Sequence, residues 1–182
     1  EIGIGIDDSK RKFLSKVPNF PMEVLYLRDD DIPQVVSCGT ASLGIVGENE
    51  VAEKGLDVRV VKKLGFGGCR ISLAIPKDSP YEGPQWFNGK RIATSYPRIS
   101  DAIFDVVSSG GTLVSNGLKE VEKVFFSEAV LIAYPNLSAE DEQMLQTMLF
   151  RIDSAIYSRD KKYILMNLPK ESVEAATKIL PA

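Results

Sequence analysis

The stretch from residue 101 to 118, DAIFDVVSSGGTLVSNGL, constrains the fold most, because an apolar run ends in small and polar residues before a helix-like pattern resumes. Residues 103–107 predict a short buried strand. Residues 108–112, SSGGT, predict a turn whose backbone N–H groups are open to an anion, as at phosphate-binding helix starts. An ordinary strand-to-helix turn uses the same residues. Phosphate binding is therefore one of two interpretations.

Asp105 lies inside this otherwise apolar strand. A carboxylate in such a position needs a partner that offsets the cost of its burial. The partner is either a bound ligand or the N–H groups of the turn that follows, which the carboxylate would cap.

The residue types limit the chemistry that is open to this chain. Its 182 residues include no histidine and only two cysteines, which are not spaced as a CxxC pair. The commonest general base, the imidazole metal ligand and a thiolate zinc site are thereby removed. Any reaction must rest on positioning, carboxylates and cations.

The net charge and the hydropathy of the chain bear on whether it binds nucleic acid or a membrane. A net charge of −3 gives no general reason to bind nucleic acid. No apolar run of about 18 residues and no secretion signal occurs, so we expect neither membrane insertion nor export, and a cytoplasmic location.

Short apolar runs alternate with helical patterns, which predicts an α/β fold. The predicted strands are 1–6, 22–27, 41–46, 58–64, 70–76, 90–97, 103–107, two within 120–133, and 162–168; the predicted helices are 7–17, 32–38, 51–55, 138–158 and 171–180. The clearest helix, 138–158, opens with a capping box and has one apolar face. That face holds Met144, Leu145, Met148, Leu149, Ile152 and Ile156.

Several predicted strands end in polar or glycine-rich residues. Arg28–Asp31 and Gly47–Asn49 are candidate ligand contacts, because ligands of parallel α/β sheets bind at strand ends. A solvated helix N-terminus would also favour acids. The glycines at 65–68 would let backbone approach a ligand beside Arg70, although a tight crossover needs the same glycines.

One junction is too short for the predicted topology. Residues 77–88 form a linker, but the strand at 90–97 runs through Arg98 directly into the next predicted strand. A parallel crossover needs a dozen or more residues. We therefore expect segments to be missing from this chain.

Five motifs in order resemble the ATP phosphoribosyltransferase family, the first enzyme of histidine biosynthesis. They are RDDDIP at 28–33, LGIVGEN at 43–49, GFGGCRISLA at 65–74, RIATSYP at 91–97 and DAIFDVVSSGGTL at 101–113. Their forms look like the long branch of the family, which has its own C-terminal regulatory domain. Relative to that pattern, we expect segments to be missing between residues 6 and 7 (6/7), 17 and 18 (17/18), and 98 and 99 (98/99). The expected regulatory domain lies outside residues 1–182.

The resemblance implies two α/β lobes around a cleft, like type II periplasmic binding proteins. Lobe I would comprise residues 1–89 and 135–182, and lobe II residues 90–134, which would bind 5-phosphoribosyl 1-pyrophosphate. Family membership also implies a homo-oligomer, a dimer that assembles to a hexamer, and histidine as a feedback inhibitor acting through the regulatory domain.

The implied reaction transfers phosphoribose from 5-phosphoribosyl 1-pyrophosphate to N1 of ATP and releases pyrophosphate, which Mg²⁺ would neutralise. N1 already carries a lone pair, so no catalytic acid, base or nucleophile is assigned. The implied phosphoribosyl pyrophosphate site is Asp105, Ser108, Ser109, Gly110, Gly111 and Thr112. The implied ATP or cleft residues are Arg28, Glu48, Asn49, Cys69, Arg70, Thr94 and Tyr96.

Alternatives remain within this set. Arg70 would meet a phosphate or form a structural salt bridge, Tyr96 would meet the purine or pack in the core, and Cys69 is a packing residue. The metal ligands are not identified. A nonenzymatic two-lobe ligand-binding or regulatory module is the alternative for the whole chain, because fold does not fix function.

Overall fold

The computed structural model describes residues 2–6, 13–90, 93–98, 105–107, 111–159, 161 and 166–179, and it describes only the backbone of residues 105–107, 111 and 112. Ser108, Ser109 and Gly110 of the predicted phosphate site lie outside these residues. The α/β class is confirmed. Contacts divide the chain into two compact units, Gly5–Gln143 and Glu1–Ile4 with Met144–Ala182.

The described strands form three sheets in which every pair is antiparallel. The strands are β1 (Leu14–Lys16), β2 (Glu23–Leu25), β3 (Leu43–Gly47), β4 (Arg59–Lys63), β5 (Cys69–Pro76), β6 (Asp105–Val107), β7 (Leu118–Ser127) and β8 (Ala129–Ala133). Strands β1 and β2 pair alone, and the larger sheets have the orders β3-β8-β4 and β6-β5-β7. The premise of a parallel sheet, used to select strand ends as ligand sites, is therefore wrong for these strands.

Five helices accompany the strands within the described residues. They are α1 (Ile32–Ser37), α2 (Glu48–Lys54), α3 (Gly111–Ser115), α4 (Ala139–Ser158) and α5 (Val173–Ile179), with 3-10 turns at Pro84–Phe87 and Lys170–Ser172. The positions of α1, α4 and α5 agree with the sequence patterns. Helix α2 begins at Glu48, earlier than the predicted start at residue 51, so the polar residues after β3 form its first turn.

The β3-β8-β4 sheet is built around a fully buried central strand. All five residues of β8 are buried, and Val46, Val130 and Ile132 pack with Val36 of α1. Gly44 permits this contact, because a Cβ there would lie 2.8 Å from Ile32 Cγ2. Helix α1 therefore lies directly on the sheet.

The β6-β5-β7 sheet has its own core. Ile71, Leu73 and Ile75 alternate along β5 and pack with Phe87 and Tyr96. Strand β5 is central and buried on this face, which matches its period-two apolar pattern.

Helix α4 begins as its capping box predicts. The Asp141 N–H donates to Ser138 Oγ at 3.0 Å. Leu145, Met148 and Ile152 are buried, as expected, whereas Ile156 is exposed.

Four predicted elements are wrong over the described residues. Residues 2–6 form no strand, since Gly3 has a φ of +69° and the Gly5 N–H donates to Asn19 Oδ1. Part of the predicted helix at 7–17 is instead strand β1, because Leu14–Lys16 pairs with β2.

The other two corrections concern residues 93–97 and 166–168, which form no strand where one was predicted. In the first segment the Tyr96 N–H donates to Thr94 Oγ1, and just after it the Arg98 N–H donates to the Glu53 carboxylate, so side chains take the donors that a strand partner would use.

Candidate functional site

The first turn of α2 is the centre of the candidate site. Gly47 ends β3 and precedes the helix, and a Cβ at this position would collide with Asn49 Oδ1. The next three residues, Glu48, Asn49 and Glu50, face different surroundings. Glu48 lines one cavity, Asn49 is buried, and Glu50 lines a second cavity.

The first cavity, which we call cavity 1, has a volume of about 330 Å³. It lies where the chain passes between the two larger sheets, from β4 to β5 and from β7 to β8. Its lining residues are Glu48, Lys63, Gly68, Cys69, Arg70, Phe126, Ser127 and Glu128. Three sequence candidates, Glu48, Cys69 and Arg70, are thus brought together.

Lys63 lies between two carboxylates at cavity 1. Its Nζ is 2.8 Å from Glu48 Oε2 and 3.9 Å from Glu128 Oε1. The hydrogen bond to Glu48 raises the pKa of Lys63, against the opposing effect of burial. Glu128 also accepts the Gly65 N–H at 3.0 Å, which fixes the glycine-rich bend before β5.

Arg70 is the second cation of cavity 1. Its Nε and Nη2 donate to the two oxygens of Glu120 at 2.8 and 2.7 Å, and Ser72 Oγ donates to Glu120 Oε1 at 2.8 Å. The hydrogen bonds from Arg70 lower the pKa of Glu120 to about 2, against the opposing effect of burial. The guanidinium therefore forms the salt bridge weighed as an alternative, while Arg70 still lines the cavity.

Asn49 and Tyr96 meet in a buried hydrogen-bonded cluster. Asn49 Nδ2 donates to Tyr96 Oη at 3.0 Å, and Tyr96 Oη donates to Glu50 Oε1 at 2.8 Å. The pKa of Tyr96 is raised far above its usual range, mainly because the hydroxyl is buried and, to a smaller extent, because it donates a hydrogen bond to Glu50. The Tyr96 ring packs among Ile71 and its neighbours, so the core alternative describes this residue.

The second cavity, cavity 2, has a volume of about 400 Å³ and is lined by Arg28, Asp29, Asp30 and Glu50. The Arg28 side chain is exposed, and its Nε lies 3.5 Å from Asp30 Oδ1. The sequence candidates Arg28, Asp29 and Asp30 are therefore brought together with one residue, Glu50, that sequence reasoning did not select.

Arg98, at the end of the segment 93–98, binds the C-terminal end of α2. The Arg98 N–H donates to both oxygens of buried Glu53 at 3.0 Å, and Arg98 Nη1 donates to the Lys54 carbonyl at 2.7 Å. Thr94 is half-buried and accepts the Tyr96 N–H at 2.9 Å. Thr94 thus supports Tyr96, and the structure places it on neither cavity lining.

Asp105 opens strand β6, opposite Ser72 of β5, and Val107 lies opposite Arg70. The chain therefore leaves β6 at the sheet end that carries Cys69 and Arg70, and it re-enters the described residues at Gly111, the first residue of α3. Thr112 is in the same helix.

Lys63, Glu128, Ser127 and Glu50 are site residues that sequence reasoning missed. Lys63 is the next-to-last residue of a predicted strand, Ser127 lies between two predicted strands, and Glu128 begins the second of them. These positions therefore carried the signal of polar residues near strand ends. Antiparallel pairing through β8 is what brings them together.

The described residues contain no group of three or more Cys, Asp or Glu side chains arranged to hold a metal ion. Among the same residues, no helix is long and apolar enough to cross a membrane.

Comparison with known proteins gives one family. The family model described as HisG: ATP phosphoribosyltransferase matches residues 28–101 and 98–154. The ATP phosphoribosyltransferase of Bacteroides thetaiotaomicron is 50% identical over 210 residues, which cover 100% of this chain and 74% of the relative. The enzyme of the same name from Cytophaga hutchinsonii is 42% identical, with 100% and 73% covered.

A solved structure gives the fold independently. A chain of the ATP phosphoribosyl transferase (HisG:HisZ) complex from Thermotoga maritima superposes with a TM-score of 0.68 at 18% identity, over 88% of this chain and 90% of that one. At this identity the likeness concerns the fold.

The curated alignments also bear on the short junctions. They extend over 210 residues, whereas the chain has 182, so the relatives hold residues at positions where this chain has none. This agrees with the expectation of missing segments, whose locations at 6/7, 17/18 and 98/99 stay predictions.

Proposed function

The chain belongs to the ATP phosphoribosyltransferase family, and from this membership we propose how its described residues serve the reaction. The enzyme transfers phosphoribose from 5-phosphoribosyl 1-pyrophosphate to N1 of ATP and releases pyrophosphate, in the first step of histidine biosynthesis. The hard step is the departure of pyrophosphate from C1 of the ribose, while positive charge develops on the sugar.

We place the 5-phosphate and ribose at the exit of β6. Asp105 would bind the ribose hydroxyls, and the turn and helix start at Ser108, Ser109, Gly110, Gly111 and Thr112 would hold the phosphate through backbone N–H groups. The observation that carries this proposal is the register of β6 with β5, because it puts the last residue of β6 opposite Arg70 at cavity 1.

Cavity 1 would accept phosphate groups from the substrates. Lys63 and Arg70 line it, and each is engaged by a carboxylate, so the cations are oriented before a ligand arrives. Charged donors held in a fixed geometry bind phosphate oxygens without reorganisation. Glu48 and Cys69 complete this part of the cleft, and Arg28, beside Glu50 at cavity 2, would contact ATP.

Mg²⁺ fits this chain as an ion carried by substrate phosphates. Magnesium keeps several waters and needs only one or two carboxylates beside a pyrophosphate. Glu48 and Glu128 are the carboxylates that line cavity 1 and would complete its coordination. The ion would neutralise the charge on the leaving pyrophosphate.

The protein residues contribute by orientation. Holding the N1 lone pair and C1 of the ribose in line replaces a bimolecular encounter, an effect worth up to roughly 7–11 kcal/mol of the barrier. N1 needs no base, which agrees with a chain that has no histidine.

We propose that the two larger sheets form the two lobes of a type II periplasmic-binding-protein fold, with the cleft at cavity 1. Compared with the bounds expected from the sequence, this proposal moves β5 from lobe I to lobe II and β8 from lobe II to lobe I. Both passages between the sheets, at Leu64–Gly68 and at Glu128, border this cavity. We also propose a cytoplasmic homo-oligomer that responds to histidine through a C-terminal domain. The match covers about three quarters of the relatives' length, so those proteins have room for a further domain.

The experiment for the site replaces Asp105 in the active enzyme. With Mg²⁺, pyrophosphate release measured through a coupled pyrophosphatase should require both ATP and 5-phosphoribosyl 1-pyrophosphate. Asp105→Ala should reduce kcat by one hundredfold or more while the melting temperature stays near that of the wild type. The exposed Asp57→Ala is the matched control. Unchanged kinetics for Asp105→Ala would remove its ribose role, and ligand binding without turnover by the wild type would indicate a binding module.

A further inference from the structure

Ser127 stands at the point where the chain passes from one large sheet to the other. It is the last residue of β7, opposite Cys69 of β5, and β8 begins two residues later. Its side chain is buried, with 5% of the residue exposed. A hydroxyl in such a place must find hydrogen-bond partners.

The partners of Ser127 are both on Asn49. The Asn49 backbone N–H donates to Ser127 Oγ at 3.1 Å, and Ser127 Oγ donates to Asn49 Oδ1 at 2.6 Å. A third contact runs beside them, because the Glu48 N–H donates to the Glu128 carbonyl at 3.0 Å. The first turn of α2 is thus bound at three points to the passage between β7 and β8.

From Asn49 the hydrogen bonds continue toward cavity 2. Asn49 Nδ2 donates both to Tyr96 Oη and to Glu50 Oε1, each at 3.0 Å. Tyr96 keeps its proton, because burial raises the pKa of its hydroxyl, and it donates to the same Glu50 oxygen. Two donors therefore hold the one carboxylate oxygen of Glu50 in place.

The resulting chain of hydrogen bonds connects the two cavities. Ser127 lines cavity 1, Glu50 lines cavity 2, and Asn49 with Tyr96 lies buried between them. Without the Ser127 hydroxyl, Asn49 Oδ1 would lose the donor that fixes the orientation of the amide. A buried polar network is costly when it is only partly satisfied.

We propose that Ser127 is a positioning residue for phosphoribosyl transfer, whose hydroxyl fixes Asn49 and thereby the Glu50 carboxylate, so that cavity 1 and cavity 2 keep one relative geometry. This inference rests on the proposed function, in which the two substrates occupy these cavities. Ser127 itself acts through Asn49 and contacts no reacting atom. Displacements of about 1 Å from remote substitutions reduce rates up to one hundredfold.

The test is a double-mutant cycle on the active enzyme, with Ser127→Ala at one end of the network and Tyr96→Phe at the other. Ser127→Ala should reduce kcat/KM about tenfold to one hundredfold for both ATP and 5-phosphoribosyl 1-pyrophosphate. Because both substitutions disrupt one network, the double variant should lose about as much as Ser127→Ala alone. Ser127→Thr, which keeps the hydroxyl, should recover most of the rate.

The exposed Ser154→Ala on α4 is the matched control, since its hydroxyl donates to the Phe150 carbonyl of its own helix. A structural role alone would lower the melting temperature of Ser127→Ala and leave kcat/KM of the folded enzyme at the wild-type value, which would overturn the inference. Strictly multiplicative losses in the double variant would also overturn it.

A replacement variant and a binding measurement cover the cases in which the first experiment fails. If Ser127→Ala does not fold, Ser127→Cys takes its place in the cycle. If the wild type makes no product, the proposed function fails, and the positioning role is judged by calorimetric binding of ATP. Equal affinities of the wild type and Ser127→Ala would then overturn it, and at least a tenfold weaker affinity of the variant would support it.

Discussion

The Arg70 guanidinium and the Glu120 carboxylate form a two-point ion pair across β5 and β7, with N···O distances of 2.8 and 2.7 Å. Ser72 adds a third donor to the same carboxylate. A bidentate pair of this kind fixes the plane of both groups. It orients Arg70 at cavity 1 and holds the two strands in register.

The first prediction concerns acid stability. The pKa of Glu120 is lowered from 4.5 to about 2 in the folded chain, so its stabilising contribution is fully present above pH 4.5 and is lost as the pH falls toward 2. The difference in urea midpoint between the wild type and Glu120→Gln should therefore be largest near pH 6 and shrink between pH 4.5 and 2. The exposed Glu140→Gln gives the baseline. A difference that stays constant over this range would contradict the ion pair.

A second prediction compares two glycines with positive φ. Gly55 has a φ of +55°, and a Cβ there would lie 2.8 Å from Arg98 Nη2, whereas Gly89 has a φ of +73° with no atom within 4 Å of such a Cβ. Both alanine variants should lose about 1–2 kcal/mol to backbone strain. Only Gly55→Ala should lower kcat/KM, because it displaces the arginine that attaches residues 93–98 to α2.

The measurement is chemical denaturation together with steady-state kinetics for each variant. Equal kinetic losses in Gly55→Ala and Gly89→Ala would show that the Arg98 contact has no part in positioning Thr94 and Tyr96.

The third prediction concerns the contact between α1 and its sheet. A Cβ on Gly44 would lie 2.8 Å from Ile32 Cγ2 and 2.9 Å from Val36 Cγ2, and Val36 is buried. Gly44→Ala should lower the free energy of unfolding by about 1–3 kcal/mol through overpacking. Gly68→Ala, with open space around its Cβ, is the control and should change the free energy of unfolding by less than about 1 kcal/mol. A larger loss for Gly68→Ala than for Gly44→Ala would contradict this packing.

The fourth prediction concerns the start of α4. Ser138→Ala removes the hydroxyl that accepts the Asp141 N–H, which should cost about 1 kcal/mol of the free energy of unfolding. Ser138→Asp should restore it, because aspartate caps as well as serine. Thermal unfolding of the wild type, Ser138→Ala and Ser138→Asp measures this effect. An unchanged free energy of unfolding for Ser138→Ala would show that the cap contributes nothing.

The sequence predicted a strand or helix correctly where the residues of that segment alone showed a clear pattern. The strand-like run at 70–76 predicted β5, and the capping serine with the apolar face of Leu145, Met148 and Ile152 predicted α4. Residues 14–16 have too short a pattern to decide, and their strand exists only because β2 pairs with them.

The site was predictable in its residue types and less so in its contacts. Glu48, Cys69 and Arg70 were identified from motifs and meet at cavity 1. Lys63, Ser127 and Glu128 were missed, because the antiparallel register of β8 with β3 and β4 brings them there, and no local pattern encodes that register. Likewise, the bidentate engagement of Arg70 depends on Glu120, fifty positions along the chain.

The central claim is tested most directly by identifying the product. The protein is incubated with Mg²⁺, ATP and 5-phosphoribosyl 1-pyrophosphate, and the nucleotides are separated and analysed by mass spectrometry. We predict equimolar phosphoribosyl-ATP and pyrophosphate, formed only when both substrates are present. Absence of any phosphoribosylated nucleotide at enzyme concentrations equal to those of the substrates would contradict the account.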